Sequence, residues 1–402
     1  MRTMYIDLSP SRMVITRLLG KITPSAYFGI LSPVHLAEFP DPPLPDDNWV
    51  RVRNHMCGIC GSDLHQLYLD ADLRAAPLAL PAHRRVYLGH EMVGTVIEAG
   101  AAVKNVRPGD RVVRWGRGDD CLARGEKELC APCQRGHRVL CERASDPRDH
   151  EPVGGGFGDS FIIPAASLVP IPPTLRDEQA IFVEPTAVAI HAAWRRIPRE
   201  GERILIIGCG TIGYLLMQVL KIIQPTCQIT AIAQYPWQAE LAHEFGAAHT
   251  ILTNEDMHER VAEITGAKVY RKGGGNTMLI GGFDVIFDVV GLPRTLQNAL
   301  RWSRARGTVV LVGVHLHPMT VDLTPVWYQE VNLLGAVGHD EVLWANKRIS
   351  TFRLAIDWML DGLLDTAPLL THTFALDAYK EAFQVATQKN RYRSIKVAFD
   401  QF

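Results

Sequence analysis

Two short stretches, CGICGSDLH at 57–65 and YLGHEMVG at 87–94, gather side chains that ligate metals: Cys57, Cys60, Asp63, His65, His90 and Glu91. Thiolate, imidazole and carboxylate are ligands of zinc, and a catalytic zinc keeps three of them while a fourth position serves water or substrate. Cys60, His90 and Glu91 are close enough in sequence to meet on one β domain. Glu184, in IFVEPTAVAIHAAW, stands at the head of an apolar helix, where a solvated glutamate is out of place. Each of these residues alone reads as a satisfied buried polar group. Their joint appearance beside a glycine-rich turn points to a metal site instead.

That turn lies in RILIIGCGTIGYLL, where Gly208, Gly210 and Gly213 have G-x-G-x-x-G spacing between an apolar strand and an apolar helix that opens on Thr211 and Ile212. In this context Gly208 permits the tight turn, Gly210 lets the backbone approach a pyrophosphate, and Gly213 lets helix pack on strand. The acid that holds the adenosine ribose is expected about 20 residues further on. That count from Gly213 lands on Ala233, and no Asp or Glu occurs between 214 and 239. No Lys or Arg occurs between 222 and 259 to pair with a 2′-phosphate either. NAD and NADP both stay open, with Gln234, Tyr235 and Gln238 as the candidate contacts. The GGGFG run at 154–158 follows no strand and reads as a loop.

Two kinds of architecture are needed to position these groups. From about 36 to 115, short β-branched runs (NWVRVRNHM, EMVGTVIEAG, GDRVVRW) alternate with Pro-Gly and Gly-Asp turn signals, as in an antiparallel or barrel-like β domain. From about 190, buried strands alternate with amphipathic helices (RILIIG, TIGYLLMQVLKII, QITAIA, QAELAHEFGA, FDVIFDVVG, TLQNALRWS, GTVVLVGV), the order of a doubly wound parallel α/β sheet. The predicted division is a catalytic β-rich domain over 1–189, a dinucleotide-binding domain over 190–334, and a segment 335–402 whose last strand, SIKVAF, returns to the first domain. Residues 116–159 show little periodicity and need a staple, which a metal supplies.

The chain has 402 residues, 47% of them apolar, with 42 Lys and Arg against 43 Asp and Glu. That is material for two full cores and gives no electrostatic footprint for nucleic acid or an anionic membrane. No apolar run approaches the roughly 20 residues of a membrane span, and MRTMYIDLSPSRMVITRLLG is broken by charges, so a cytoplasmic protein is expected. Of eight cysteines, Cys121, Cys130, Cys133 and Cys141 cluster in one polar loop. Without an export signal, such clustering favours metal over disulfides.

From about residue 30 onward the motifs GICGSDLH, GHE, the glycine-rich turn and EP resemble the zinc-dependent medium-chain dehydrogenases, a family that includes alcohol, sorbitol, glucose and threonine dehydrogenases. The resemblance implies a GroES-like β-barrel catalytic domain beside a Rossmann domain, and a homodimer or homotetramer acting on a small alcohol or carbonyl compound. It implies that Cys60 and His90 are zinc ligands and that the third is Glu184, as in polyol-type members, or Glu91, the two being partly interchangeable. Ser62 and His65 match the family's proton relay, and Asp63 its support for the ligand histidine. Cys130, Cys133 and Cys141 fit its structural zinc lobe, with Cys121 in place of the usual first cysteine, whose position holds Lys127. Val290, Val312 and Val314 match positions near the nicotinamide, and Lys396 matches a basic residue that reaches the phosphates. Two zinc ions per chain and NAD or NADP follow.

The mechanism so implied moves hydride between a secondary alcohol, polyol or sugar and NAD(P). A zinc-free reductase of activated double bonds or quinones and a non-catalytic dinucleotide-binding redox sensor are the rival readings. One departure from the family is length: 29 residues separate Cys60 from His90. The extra segment is expected near the cleft mouth, where it would shape the substrate pocket.

Overall fold

The computed structural model describes residues 1–72, 85–116, 118–147, 149–271 and 277–402. Most of the long segment between Cys60 and His90, residues 73–84, therefore lies outside the described residues. The chain forms two compact units, one of Met1–Glu184 with Phe352–Phe402 and one of Pro185–Thr351.

In the first unit the ten-residue strand Trp49–Gly58 is the hub of a seven-stranded sheet. It pairs antiparallel with Glu91–Ala99, with Ser160–Pro164 through its first half, and with Lys396–Gln401 at Cys57 and Gly58. Strands Arg111–Arg114 and Leu168–Pro170 continue beyond Glu91–Ala99, and Leu370–Ala375 pairs parallel with Lys396–Gln401. The alternating apolar positions of the three sequence runs supply the core, with Val50, Val52, Met92, Val96 and Val112 packed against Phe157, Phe161, Phe383 and Phe399.

The glycine run 154–158 is a loop that lets backbones close up against this core. A Cβ at Gly155 would meet the Leu88 carbonyl oxygen at 2.3 Å, and one at Gly156 the Cys57 sulfur at 2.4 Å. A second, three-stranded sheet joins Val34–Glu38, Arg2–Asp7 and Arg85–Tyr87. The charges in the N-terminal stretch hide this strand in the sequence, yet Thr3, Met4 and Ile6 are buried in it.

The second unit is a six-stranded parallel sheet in the order His249–Leu252, Gln228–Ala233, Arg203–Ile207, Phe283–Asp288, Ser303–Leu311, Asn332–Gly335. This is the doubly wound order whose direction reverses beside the first strand, where dinucleotides bind. Helices Thr211–Ile223, Pro236–Glu244 and Pro293–Trp302 connect the strands. The fold is thus the doubly wound α/β sheet with a separate β-rich unit that the patterning predicts. Among the described residues no helix is long and apolar enough to cross a membrane.

Candidate metal centres and dinucleotide site

Strand Trp49–Gly58 delivers Cys60 to the start of helix Gly61–Leu67, and Glu91 begins the neighbouring strand, so sheet pairing brings the two sequence motifs together. Ligand atoms of Cys60, His90 and Glu91 all lie within 4.8 Å of one another. Asp63 fastens the two motifs. Its buried carboxylate accepts the Cys60 N–H at 2.9 Å and the Gly89 N–H at 3.3 Å, and stands 3.6 Å from His90 Nδ1. Burial works against charge on both partners. Their attraction nevertheless holds Asp63 below and His90 well above their ordinary values.

Glu184 sits in the first turn of helix Val183–Arg195. Burial, with the Glu91 and Asp63 charges adding to it against His90 and Lys396, lifts its carboxyl to about 7.

Lys396 departs from expectation. Its ammonium, 2% exposed, donates to Glu91 Oε2 and, at 3.1 Å, to the Ile59 carbonyl. A buried cation must take the nearest anion, and here that anion is Glu91 rather than a phosphate. Gly58 leaves the space, since a Cβ there would meet Glu91 Oε2 at 2.5 Å and Lys396 Cδ at 3.0 Å. Lys396 and His90 face three carboxyls, Asp63, Glu91 and Glu184, with the Cys60 thiol beside them. A divalent cation fits that donor set.

On helix Gly61–Leu67, Ser62 and His65 are three residues apart and share a face. His65 Nδ1 lies 2.8 Å from Asp70 Oδ2, a partner that the sequence reading did not single out. Cys57 is fully buried among core side chains, and burial pushes its thiol far up.

The second cluster is made of sulfur. Cys121, Cys130, Cys133 and Cys141 present their sulfurs within 4.8 Å of one another, with Cys121 and Cys141 3.6 Å apart. None is in a disulfide. Among the described residues Leu129 is the one apolar side chain, other than the cysteines, packed with this cluster, so the lobe has little apolar core of its own. Burial raises the Cys133 and Cys141 thiols, the latter to about 11. At Cys130, burial is outweighed by N–H groups of Cys133 and Glu142, and the thiol falls to about 7. Four converging sulfurs with little apolar core fit a closed tetrahedral metal site.

In the other unit Gly208 adopts φ +113°, and a Cβ on Gly213 would lie 2.0 Å from the Gly208 carbonyl oxygen. Both glycines are therefore dictated by the turn and by helix contact. Helix Thr211–Ile223 starts at Gly210, and no side chain caps it, so its first-turn N–H groups suit a pyrophosphate. Thr211 and Ile212 are half-buried there, and Ala233 ends the next strand in full burial.

Val290, Val312 and Val314 belong to two loops joined by Asp288, a residue that the sequence patterning passes over. Its carboxylate accepts the Val290 N–H, the Gly291 N–H and the Thr295 hydroxyl at 3.0, 3.2 and 2.8 Å. Its backbone carbonyl takes the Val312 and Gly313 N–H groups.

Known proteins resemble this chain over most of its length. Residues 46–173 match the alcohol dehydrogenase GroES-like domain and 211–361 the zinc-binding dehydrogenase domain. L-idonate 5-dehydrogenase of Vitis vinifera is 30% identical over 356 residues, covering 87% of each chain. D-arabinitol dehydrogenase 1 of Uromyces fabae is 29% identical over 346 residues, covering 85% of this chain and 88% of that protein. The crystal structure of 2R,3R-butanediol dehydrogenase from Bacillus subtilis superposes with a TM-score of 0.70 at 25% identity, covering 92% of this chain and 96% of that one. With both domains matched and a relative 30% identical over most of both chains, the chain belongs to the zinc-binding medium-chain dehydrogenases, oxidoreductases that work with zinc and a nicotinamide dinucleotide.

Proposed function

We propose that the protein oxidises a secondary alcohol of the polyol or sugar class to its carbonyl compound, with NAD or NADP as the hydride acceptor, and runs the reverse reaction when carbonyl and reduced cofactor are supplied. The observation that carries this reading is the convergence of Cys60, His90 and Glu91 within 4.8 Å. In this reading residues 1–189 and 335–402 carry the metal chemistry and 190–334 the cofactor. Cys60 and His90 hold the catalytic zinc, with Glu184 or Glu91 as the third ligand, and the four-cysteine lobe holds a second zinc. When bound, the zinc supplies the Lewis acidity that makes an alcohol acidic near neutral pH, and the nicotinamide supplies the hydride acceptor.

The remaining work falls to side chains. Asp63 fixes the His90 ring and the Cys60 backbone, and Lys396 holds Glu91 by its charge. Ser62 accepts the hydroxyl proton, and His65 passes it to solvent. With Asp70 on Nδ1, Nε2 is the nitrogen left for that transfer. The relatives named above are dehydrogenases of idonate, arabinitol and butanediol, each a compound with more than one hydroxyl, which supports the substrate class.

A panel of polyols, sugars and simple secondary alcohols, followed by NAD(P)H absorbance, tests the reading. Polyols or sugars should be oxidised, and His65→Ala should keep zinc and cofactor while losing about one to two orders of magnitude in rate. Failure of every alcohol in the panel, with carbonyl-activated double bonds reduced instead, would transfer the protein to the zinc-free reading.

We further propose a cytoplasmic homodimer or homotetramer. Strand Asn332–Gly335 is the edge of the parallel sheet, and exposed Trp327 and Tyr328 precede it, at 80% and 63% of their full exposure. Unpaired edges and large exposed aromatics are costly on a free surface and are suited to a second copy. Light scattering should return at least twice the mass of one chain, and Leu333→Pro should lower it. A monomer at micromolar concentration would contradict the assembly without touching the chemistry.

A further inference from the structure

The dinucleotide unit lacks the acid that usually selects NAD, and Gln238 stands where it changes what the loop offers. Gln238 is 5% exposed, and all of its carboxamide bonds go to backbone. Oε1 accepts the N–H groups of Gln234 and Tyr235 at 3.1 and 3.2 Å, while Nε2 donates to the Cys209 carbonyl at 3.0 Å. Cys209 lies between Gly208 and Gly210, so one side chain ties the pyrophosphate turn to the loop that follows the second strand. The Tyr214 hydroxyl donates to the Gln238 carbonyl at 3.1 Å and holds the helix end in place.

That loop is where a nicotinamide cofactor presents its adenosine ribose. A 2′-phosphate there needs a guanidinium, an ammonium or free backbone N–H groups. Between 222 and 259 there is no Lys or Arg. The Gln234 and Tyr235 N–H groups are already taken by Gln238. With Gln234 exposed, a dianion there would keep part of its water but gain no charged partner and neither the Gln234 nor the Tyr235 N–H, whereas a ribose diol asks only for a neutral partner such as the Gln234 carboxamide.

Building on the dehydrogenase reading, we infer that Gln238 makes this an NAD-selective enzyme by withholding two backbone donors from a 2′-phosphate, without the carboxylate that commonly does the selecting. Gln238 is a positioning residue in this account, acting through the Gln234–Tyr235 backbone rather than by touching the cofactor.

The test is direct binding, without substrate or turnover: NADH and NADPH titrated into the zinc-loaded protein, followed by cofactor fluorescence. NADH should bind about tenfold to a hundredfold more tightly, the range that hydrogen bonds to a charged group are worth. Gln238→Met, which keeps the shape and loses the acceptor, should bring the ratio to within about threefold of one. Gln238→Glu keeps an acceptor for both N–H groups and adds negative charge, so it should hold or widen the preference, and it guards against the methionine variant failing to fold. Gln234→Arg should gain NADPH affinity about tenfold.

Preference for NADPH in the parent protein overturns the proposal. So does an equal loss of both cofactors in Gln238→Met, because a purely structural role cannot tell a 2′-phosphate from a hydroxyl. Alcohol oxidation and zinc content are read separately, so a failure here leaves the dehydrogenase reading standing, whereas absence of binding by either cofactor removes both.

Discussion

Replacing Cys60 with serine, or His90 with alanine, should abolish alcohol turnover and remove one of about two zinc equivalents. Lewis-acid stabilisation of a developing oxyanion is worth several kcal/mol. At 1.36 kcal/mol per tenfold, its loss lowers the rate by about 10³ or more. The fold should survive, because the Asp63 contacts to the Cys60 and Gly89 N–H groups are to backbone and persist in both variants. Elemental analysis, circular dichroism and a rate measurement on one preparation separate the possibilities. Parent-rate turnover of every accepted alcohol by Cys60→Ser would defeat the zinc mechanism.

The second large effect belongs to the sulfur lobe. Cys133→Ser should cost one zinc equivalent and lower Tm, while the other equivalent and the catalytic ligands stay. The lobe has four thiols and Leu129 where a core would be, so the free energy of metal binding is its folding free energy. If about 3 kcal/mol of that reaches the cooperative unfolding of the unit, Tm falls by roughly 6–12 °C. Calorimetry with zinc analysis decides it, and unchanged melting with unchanged zinc would show that the lobe carries no metal.

Features written in local spacing were legible. The glycine turn and the strand–helix alternation depend on residues adjacent in sequence or on one period of a helix or strand, and the four-cysteine loop and the Cys60–His90–Glu91 set on short motifs whose residue types mark them before folding brings them together. The pairings that complete the sites were not. Lys396 and Glu91 are 305 residues apart, and only the strand pairing at Gly58 brings them together. Asp288 is a strand-end acid like many others until its three donors are seen, and the Gln238 carboxamide reads from sequence as a cofactor contact although it is spent on backbone. The N-terminal strand was hidden because Arg2 and Asp7 bracket it and its buried positions, Thr3, Met4 and Ile6, do not follow a strict period of two.

Lys396 also says something about the order in which the protein is made. The partner of the Ile59 carbonyl emerges 337 residues later in synthesis, after the whole of the parallel-sheet unit. Until then Glu91 has no counter-charge beneath its sheet, and strand Trp49–Gly58 has an unfilled edge at Cys57 and Gly58. The Pro185–Thr351 unit is continuous in sequence and is free to fold on the ribosome, whereas the Lys396–Glu91 pair waits for a strand translated after that unit. In a nascent chain Cys60, His90 and Glu91 are therefore present well before Lys396, and the Glu91 ion pair forms only once strand Lys396–Gln401 has paired with Trp49–Gly58.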